Sequence, residues 1–289
     1  MNKLRAVRLP LVGGRLAYLP REEDAAVSAR MLFPTRLHAL HRDRHGHVIN
    51  DKIADFVPEL GYDLGSGLVT NIGVLALAGD SQWPQTSIVT NLFKLLKYHA
   101  SGKGVTSAAF TDIQLETDST VGGQTPVAGT QVFTHDQTAT TQKWVSVATI
   151  SYTGSEAVTE WGLFNDTTLS RTTGSPFTAT TANTGTVTAT PLTASSTSVQ
   201  GETQHVVKTT TTPRYALITS NTTSVLTLSF SAASGWMVTT TGVIGSTPGS
   251  TETYTLRPVM WDHKVFSAIN VVNLDSIQFT YTLTISSGG

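Results

Sequence analysis

From Ile277 to Ile285 every odd-numbered residue is apolar and every even-numbered one is polar: Ile277, Phe279, Tyr281, Leu283 and Ile285 against Gln278, Thr280, Thr282 and Thr284. Strict period-two alternation predicts a β-strand with one face on a core and the other on water or a partner. Such a strand needs a neighbour. The matching segment, Trp144 to Phe164, lies far upstream, and a Thr-rich, nearly uncharged stretch separates the two. The chain therefore reads as one β core split by an insertion.

Composition agrees with that reading. Apolar residues make up 39% of the 289 positions and charged residues 13%, against roughly a quarter charged in an ordinary globular protein. Hydroxyl side chains take the place of charge. Threonine is stiff at χ1 and suits pleated, exposed strands better than helix interiors, so the bias itself favours β structure. A surface poor in charge also suits contact with other protein. A formal net charge of -1 removes any global electrostatic case for nucleic acid or an anionic membrane. The absence of cysteine excludes disulfides, thiolate metal sites and cysteine nucleophiles. No apolar run reaches the roughly 18 residues that span a bilayer, and the N-terminus lacks a signal-peptide core, which predicts folding in a cytosol.

Positive charge is concentrated at the start. Lys3, Arg5, Arg8, Arg15, Arg21, Arg30, Arg36, Arg42 and Arg44 crowd there with His38, His41, His45 and His47, and Pro10, Pro20 and Pro34 interrupt short apolar patches. Residues 1–62 are expected to form a basic, extended and partly helical arm. One helix is expected over Arg21 to Leu32, with Glu22, Glu23 and Asp24 at its positive end, and a helical turn over Thr35 to His45. Leu68, Ile72, Leu75 and Ala76 have helical spacing, with Ser66 as cap and an end near Gly79. Ile88 to Tyr98 is apolar enough for a buried strand, although Lys94 and Lys97 fit a helical face equally well; the strand is the reading taken.

Gln131 to Thr134, Lys143 to Tyr152 and Val158 to Phe164 read as consecutive strands, and Lys264 to Val272 with Ser276 to Ile285 as a hairpin across Asn273-Leu274-Asp275. Residues 63–164 and 261–289 would make the core. Residues 165–260 would be an inserted β module, with short strands at Thr186 to Thr190, Arg214 to Thr219, Val225 to Phe230 and Trp236 to Thr241, and a Pro248-Gly249 turn.

Four segments carry a family resemblance: Leu68 to Ala78; Tyr98 to Gly104 running on to Asp112-Ile-Gln-Leu-Glu-Thr117; Val158-Thr-Glu-Trp-Gly-Leu-Phe-Asn165; and Trp261 to Ile285. In this order they resemble a family of tailed-bacteriophage virion proteins of the tail, neck or capsid-decoration type. The resemblance covers Leu68 to Phe164 and Trp261 to Ile285, under half of the chain. It implies an antiparallel β-sandwich that assembles with other virion proteins, without an enzyme motif. The basic arm and the long insertion depart from the family pattern.

Gly79-Asp80-Ser81 with Asp262-His263 is similar to the opening block of some serine hydrolases, yet the αβ alternation and the usual Asp–His gap are missing. His41, His45 and His47 could point two imidazoles at one metal ion, but no acidic ligand completes the set. Asp112, Glu116 and Asp118 lack the spacing of a calcium loop and read as turn residues. Trp144, Trp161, Trp236 and Trp261 are expected in the core, with Trp236 and Tyr254 the only candidates for stacking on a sugar.

The expectation is thus a mainly β, non-enzymatic virion component needing no cofactor. Its partner contacts would fall on Arg5, Arg8, Arg15, Arg36, Arg42 and Arg44, against capsid, portal or tail neighbours. Homo-oligomerisation is expected, membrane contact is not, and nucleic acid is a lesser partner because aromatic interleaving is missing. The alternative is receptor or glycan recognition through the insertion.

Overall fold

A computed structural model describes residues 35–49, 56–57, 61–70, 73, 95–134, 141–168, 171–172, 178–181, 184–186, 192, 202, 205–209, 214–228, 236–238, 244–245 and 254–286. The protein is mainly β with antiparallel sheets, as its alternating segments predict.

The terminal strand is the spine of the first sheet. We number the strands β1 (Thr35–Arg42), β2 (Phe56–Val57), β3 (Gly61–Gly65), β4 (Leu68–Val69), β5 (Tyr98–Gly102), β6 (Val127–Ala128), β7 (Thr130–Thr134), β8 (Thr141–Ser151) and β9 (Glu156–Phe164). Those of the insertion are β10 (Arg171–Thr172), β11 (Thr178–Thr181), β12 (Thr184–Thr186), β13 (His205–Thr209), β14 (Arg214–Asn221), β15 (Val225–Leu228), β16 (Trp236–Val238), β17 (Ile244–Gly245) and β18 (Tyr254–Pro258), and the chain closes with β19 (Met260–Val271) and β20 (Ser276–Ser286). One sheet has the order β2-β3-β1-β20-β8-β7 and the second β4-β19-β9-β5-β6. Ile277, Phe279, Tyr281 and Leu283 are fully buried between them, each contributing about 2 kcal/mol of apolar burial.

Four connections cross between the sheets, and two of them, one on each side, turn on a glycine. β3 and β4 belong to different sheets and are joined through Ser66-Gly67; β6 and β7 change sheet at Gly129. Both crossings need glycine. A Cβ on Gly67 would lie 1.9 Å from Asp262 Oδ1, and one on Gly129 would lie 2.7 Å from Ser146 Oγ. Chain that runs from one layer into the other leaves less free edge for unwanted strand pairing.

Several expectations are corrected. Thr35 to Arg42 is a strand, not a helical turn, and pairs with β20 along its whole length. Leu37 and Ala39 alternate inwards at 0% exposure, so the vacant side of β20 outweighs any local helical preference. Because β1 to β3 hold places in the first sheet, removing the predicted arm through residue 62 would take out a central strand. Leu68–Val69, expected in a helix, pairs with β19; Gly73 is helical, and the rest of that predicted helix lies outside the described residues. So does the predicted helix over Arg21 to Leu32. The predicted strand from Ile88 is described only from Leu95, which is helical, and only Tyr98 belongs to a strand. The predicted closing hairpin is not a ladder. β19 and β20 lie in different sheets, as do β8 and β9, so each of these connections is an arch from layer to layer.

The insertion leaves β9 and returns to β19 at one rung, where Phe164 pairs with Met260. Its main sheet runs β10-β18-β13-β14-β15-β12-β11, with β16 on β14 and β17 on β16. Val206, Tyr215 and Leu217 join the cluster of the sandwich core. Val207, Ala216, Ile218, Leu226, Tyr254 and Leu256 form a second core on the other face. The module is therefore packed against the sandwich as well as tethered to it.

Candidate functional site

The densest group of polar chemistry lies on the outer face of the second sheet. Asp262 and His263 are adjacent in β19 and so point to opposite faces. Asp262 turns inwards and accepts from Tyr281 Oη at 3.0 Å, while Tyr281 Oη accepts from Trp261 Nε1 at 2.8 Å. Burial pushes the Asp262 carboxyl up to about 6.

His263 turns outwards between two carboxylates: Nδ1 bonds Asp112 Oδ2 at 2.7 Å and Nε2 bonds Glu160 Oε1 at 2.8 Å. Burial alone would lower its pKa. The bonds and charges of Asp112 and Glu160 win and raise it to about 9. The ring is therefore an imidazolium donating from both nitrogens.

Glu160 is fully buried on β9 and organises the loop that covers it. Gly104 N donates to Oε2 at 3.0 Å, Thr117 N to Oε2 at 3.2 Å, and Glu116 N to Oε1. Glu116 in turn caps Val105 N at 2.7 Å and Thr106 N at 2.8 Å, and these bonds with Thr106 hold its carboxyl below the usual range. Asp112 also caps Ala109 N at 2.7 Å. Asp112 and Glu116 thus act as turn residues, as expected, and Asp112 additionally clamps His263. A cavity of about 300 Å³ opens beside the clamp, lined by Thr106, Asp112, Gln114, Glu116, Lys208 and His263. Lys208 enters from the insertion and donates to Gln114 Oε1 at 2.7 Å.

This arrangement holds segments together. With both nitrogens of His263 bonded to carboxylates, the ring is not placed as a base, and Asp262 is not placed to orient it. Ser81 lies outside the described residues. A second buried network shows a similar division of labour. Trp161 Nε1 donates to His99 Nδ1 at 3.2 Å, so His99 is the Nε2–H tautomer and donates to Ser146 Oγ at 2.9 Å. Burial lowers His99 to about 3, which keeps it neutral.

The structure separates the other predicted site residues. His41 is buried and bonds Asp275 Oδ2 at 2.9 Å, away from the exposed His45 and His47, whose rings lie 6.1 Å apart. Tyr254 is 0% exposed, which removes it as a sugar platform; Trp236 is in β16, and its side chain lies outside the described residues. Trp144, Trp161 and Trp261 are in the core as expected. Arg36 is exposed and paired with Asp63, with Nε donating at 3.1 Å. Arg42, at the far end of the same strand, donates to Gly46 O at 2.9 Å, and Arg44 to His45 Nε2 at 3.0 Å. Arg5, Arg8 and Arg15 lie outside the described residues. Sequence reading missed Glu160 as an organiser. Its one signal was a lone carboxylate in the apolar run Val158 to Phe164.

Protein-family models, curated proteins and solved structures were compared with the chain, and none matches it.

Proposed function

We propose that this protein is a non-enzymatic structural component of a tailed-phage virion, which folds in the host cytoplasm and docks to capsid, portal or tail neighbours as a homo-oligomer. The observation that carries the reading is the two-ended build of the sandwich. At one end the insertion departs and returns through paired residues; at the other, a cationic turn projects from Arg42. The ion clamp at His263 fixes the covering loop between them. The resemblance of Val158 to Asn165 and of the terminal strand to virion proteins supports the same reading, since both segments are central strands here. Repeated weak contacts suffice in a symmetric particle, where neighbouring copies raise the effective concentration.

The test removes the basic arm without touching β1. Deleting residues 1–34 is expected to leave the near-UV spectrum of the sandwich intact and to abolish incorporation into particles. Unimpaired incorporation of the shortened chain contradicts anchoring by the arm.

A further inference from the structure

Three turns leave the sandwich at the end opposite the insertion. Arg42, Ser276 and Ser151 stand side by side in β1, β20 and β8, and Val271 faces Glu156 across β19 and β9. The turn after Arg42, the arch 152–155 and the arch 272–275 therefore share one end. It lies roughly 35 Å from the insertion, taking about 3.3 Å per residue over the length of β19.

This end is rigid. Tyr152 N donates to Asp275 O and Leu274 N to Tyr152 O, each at 2.8 Å, which binds one arch to the other. The buried His41–Asp275 pair ties both to β1. Asp275 Oδ2 also accepts from Val272 N at 3.0 Å.

On this frame stand three exposed aliphatic side chains, Leu274 at 63%, Val272 at 54% and Val48 at 37% exposure. Leu274 has φ 71° and is the one positive-φ residue other than glycine among the described residues. A branched side chain in that conformation costs about 1 kcal/mol or more, which glycine would avoid. The turn that carries Val48 also carries Arg42, Arg44, His45 and His47. Among the described residues, the acids of this end are Asp43, which caps His45 N and His47 N, both at 2.8 Å, the buried Asp275, and Glu156, which caps Thr120 N at 3.0 Å. Among the described residues, Arg42 and Arg44 against the part-exposed Asp43 leave a positive balance.

We infer that this end is a docking surface for a different protein, one that presents an apolar hollow rimmed by carboxylates, with Leu274 as the central anchor. Charge complementarity selects the rim, and the strained, outward leucine selects the hollow. A second copy meeting this end face to face would set Arg42 and Arg44 against themselves. Phosphate backbones would engage the arginines and leave the aliphatic tips in water. The inference rests on the virion reading for its setting, but not for its chemistry.

Leu274→Gly makes the test separable from folding, because it removes the anchor while relaxing the backbone. Full-length protein, this variant and Arg42→Glu/Arg44→Glu are titrated with a soluble Glu/Leu amphipathic peptide, duplex DNA and phosphatidylglycerol vesicles, and tested for particle incorporation. A photocross-linker at position 274 is added in the particle experiment. The expected results are saturable peptide binding weakened at least tenfold by either variant and by salt. Incorporation should fall at least tenfold for Leu274→Gly at a melting temperature no lower than that of the wild type, with cross-links to acidic–apolar segments of another protein. Absent or variant-insensitive peptide binding, tighter binding to DNA or vesicles, cross-links to a second copy, or undiminished incorporation overturns the inference. If wild-type protein never enters particles, the virion reading fails and the peptide titration alone decides the surface.

Discussion

Asn165 and Val259, 94 positions apart, clasp the two ends of the insertion: Val259 N donates to Asn165 Oδ1 at 2.8 Å and Asn165 N donates to Val259 O at 3.3 Å. The next rung inwards is the Phe164–Met260 pair. An entire second β unit thus hangs from one rung of an antiparallel ladder.

That clasp predicts tolerance to excision. Replacing residues 165–259 by Asn-Gly should let β9 and β19 close as a hairpin. The shortened chain is expected to unfold cooperatively in urea, less stable by a few kcal/mol because Val206, Tyr215 and Leu217 no longer cover the core. A molten or aggregated product would show that the sandwich needs its insertion to fold.

The ion clamp predicts a pH dependence. His263 has a folded-state pKa of about 9 against an ordinary 6.5, so its contribution is complete below pH 6.5 and lost as pH rises through about 9. Unfolding free energy from urea titrations should fall by on the order of 3 kcal/mol across that window. His263→Gln should flatten the slope, and an unchanged slope in this variant would contradict the assignment. Glu160→Gln should cost about 3–5 kcal/mol at neutral pH, since it leaves a buried cation partly uncompensated.

The strand crossing at Gly67 predicts a sharp contrast between glycines. Gly67→Ala drives a methyl into the buried Asp262 carboxylate and should cost about 1–3 kcal/mol or more. Gly46→Ala, at φ +83° with nothing within 4 Å, should cost only the backbone term of about 1 kcal/mol. Equal losses in thermal unfolding would mean that the crossing is not tightly packed.

Tyr254 sits in the second core of the insertion, so Tyr254→Ala should lower stability by about 3–5 kcal/mol. Tyr254→Phe should leave any signal on a glycan array unchanged. A selective loss of sugar binding in the phenylalanine variant would restore Tyr254 as a contact.

What the sequence revealed depended on how local the cause was. Ile277 to Ile285 could be read as a strand because each side chain reports its own face. Of the partner expected for it, Trp144 to Phe164, only the part in β8 pairs with it; β9 pairs with β19 in the other sheet. The neighbour on the other side, Thr35–Arg42, was misread as helical because its strand character comes from pairing with β20, which no local pattern encodes. The arch at Asn273 reads as a hairpin in the sequence, since consecutive alternating strands look alike whether they pair or change layer. His263, Asp112 and Glu160 come from three distant segments, and only the fold brings their charges within bonding distance. Arg36 and Arg42 seemed one basic patch along the chain, yet the length of β1 sets them at opposite ends.

The most direct test of the account is quantitative mass spectrometry of density-gradient particles from phage-producing cells. The account predicts that the full-length chain bands with the particles at a fixed, symmetric ratio to the major capsid component. Chain found only in the soluble fraction, with none in the particles, would contradict it.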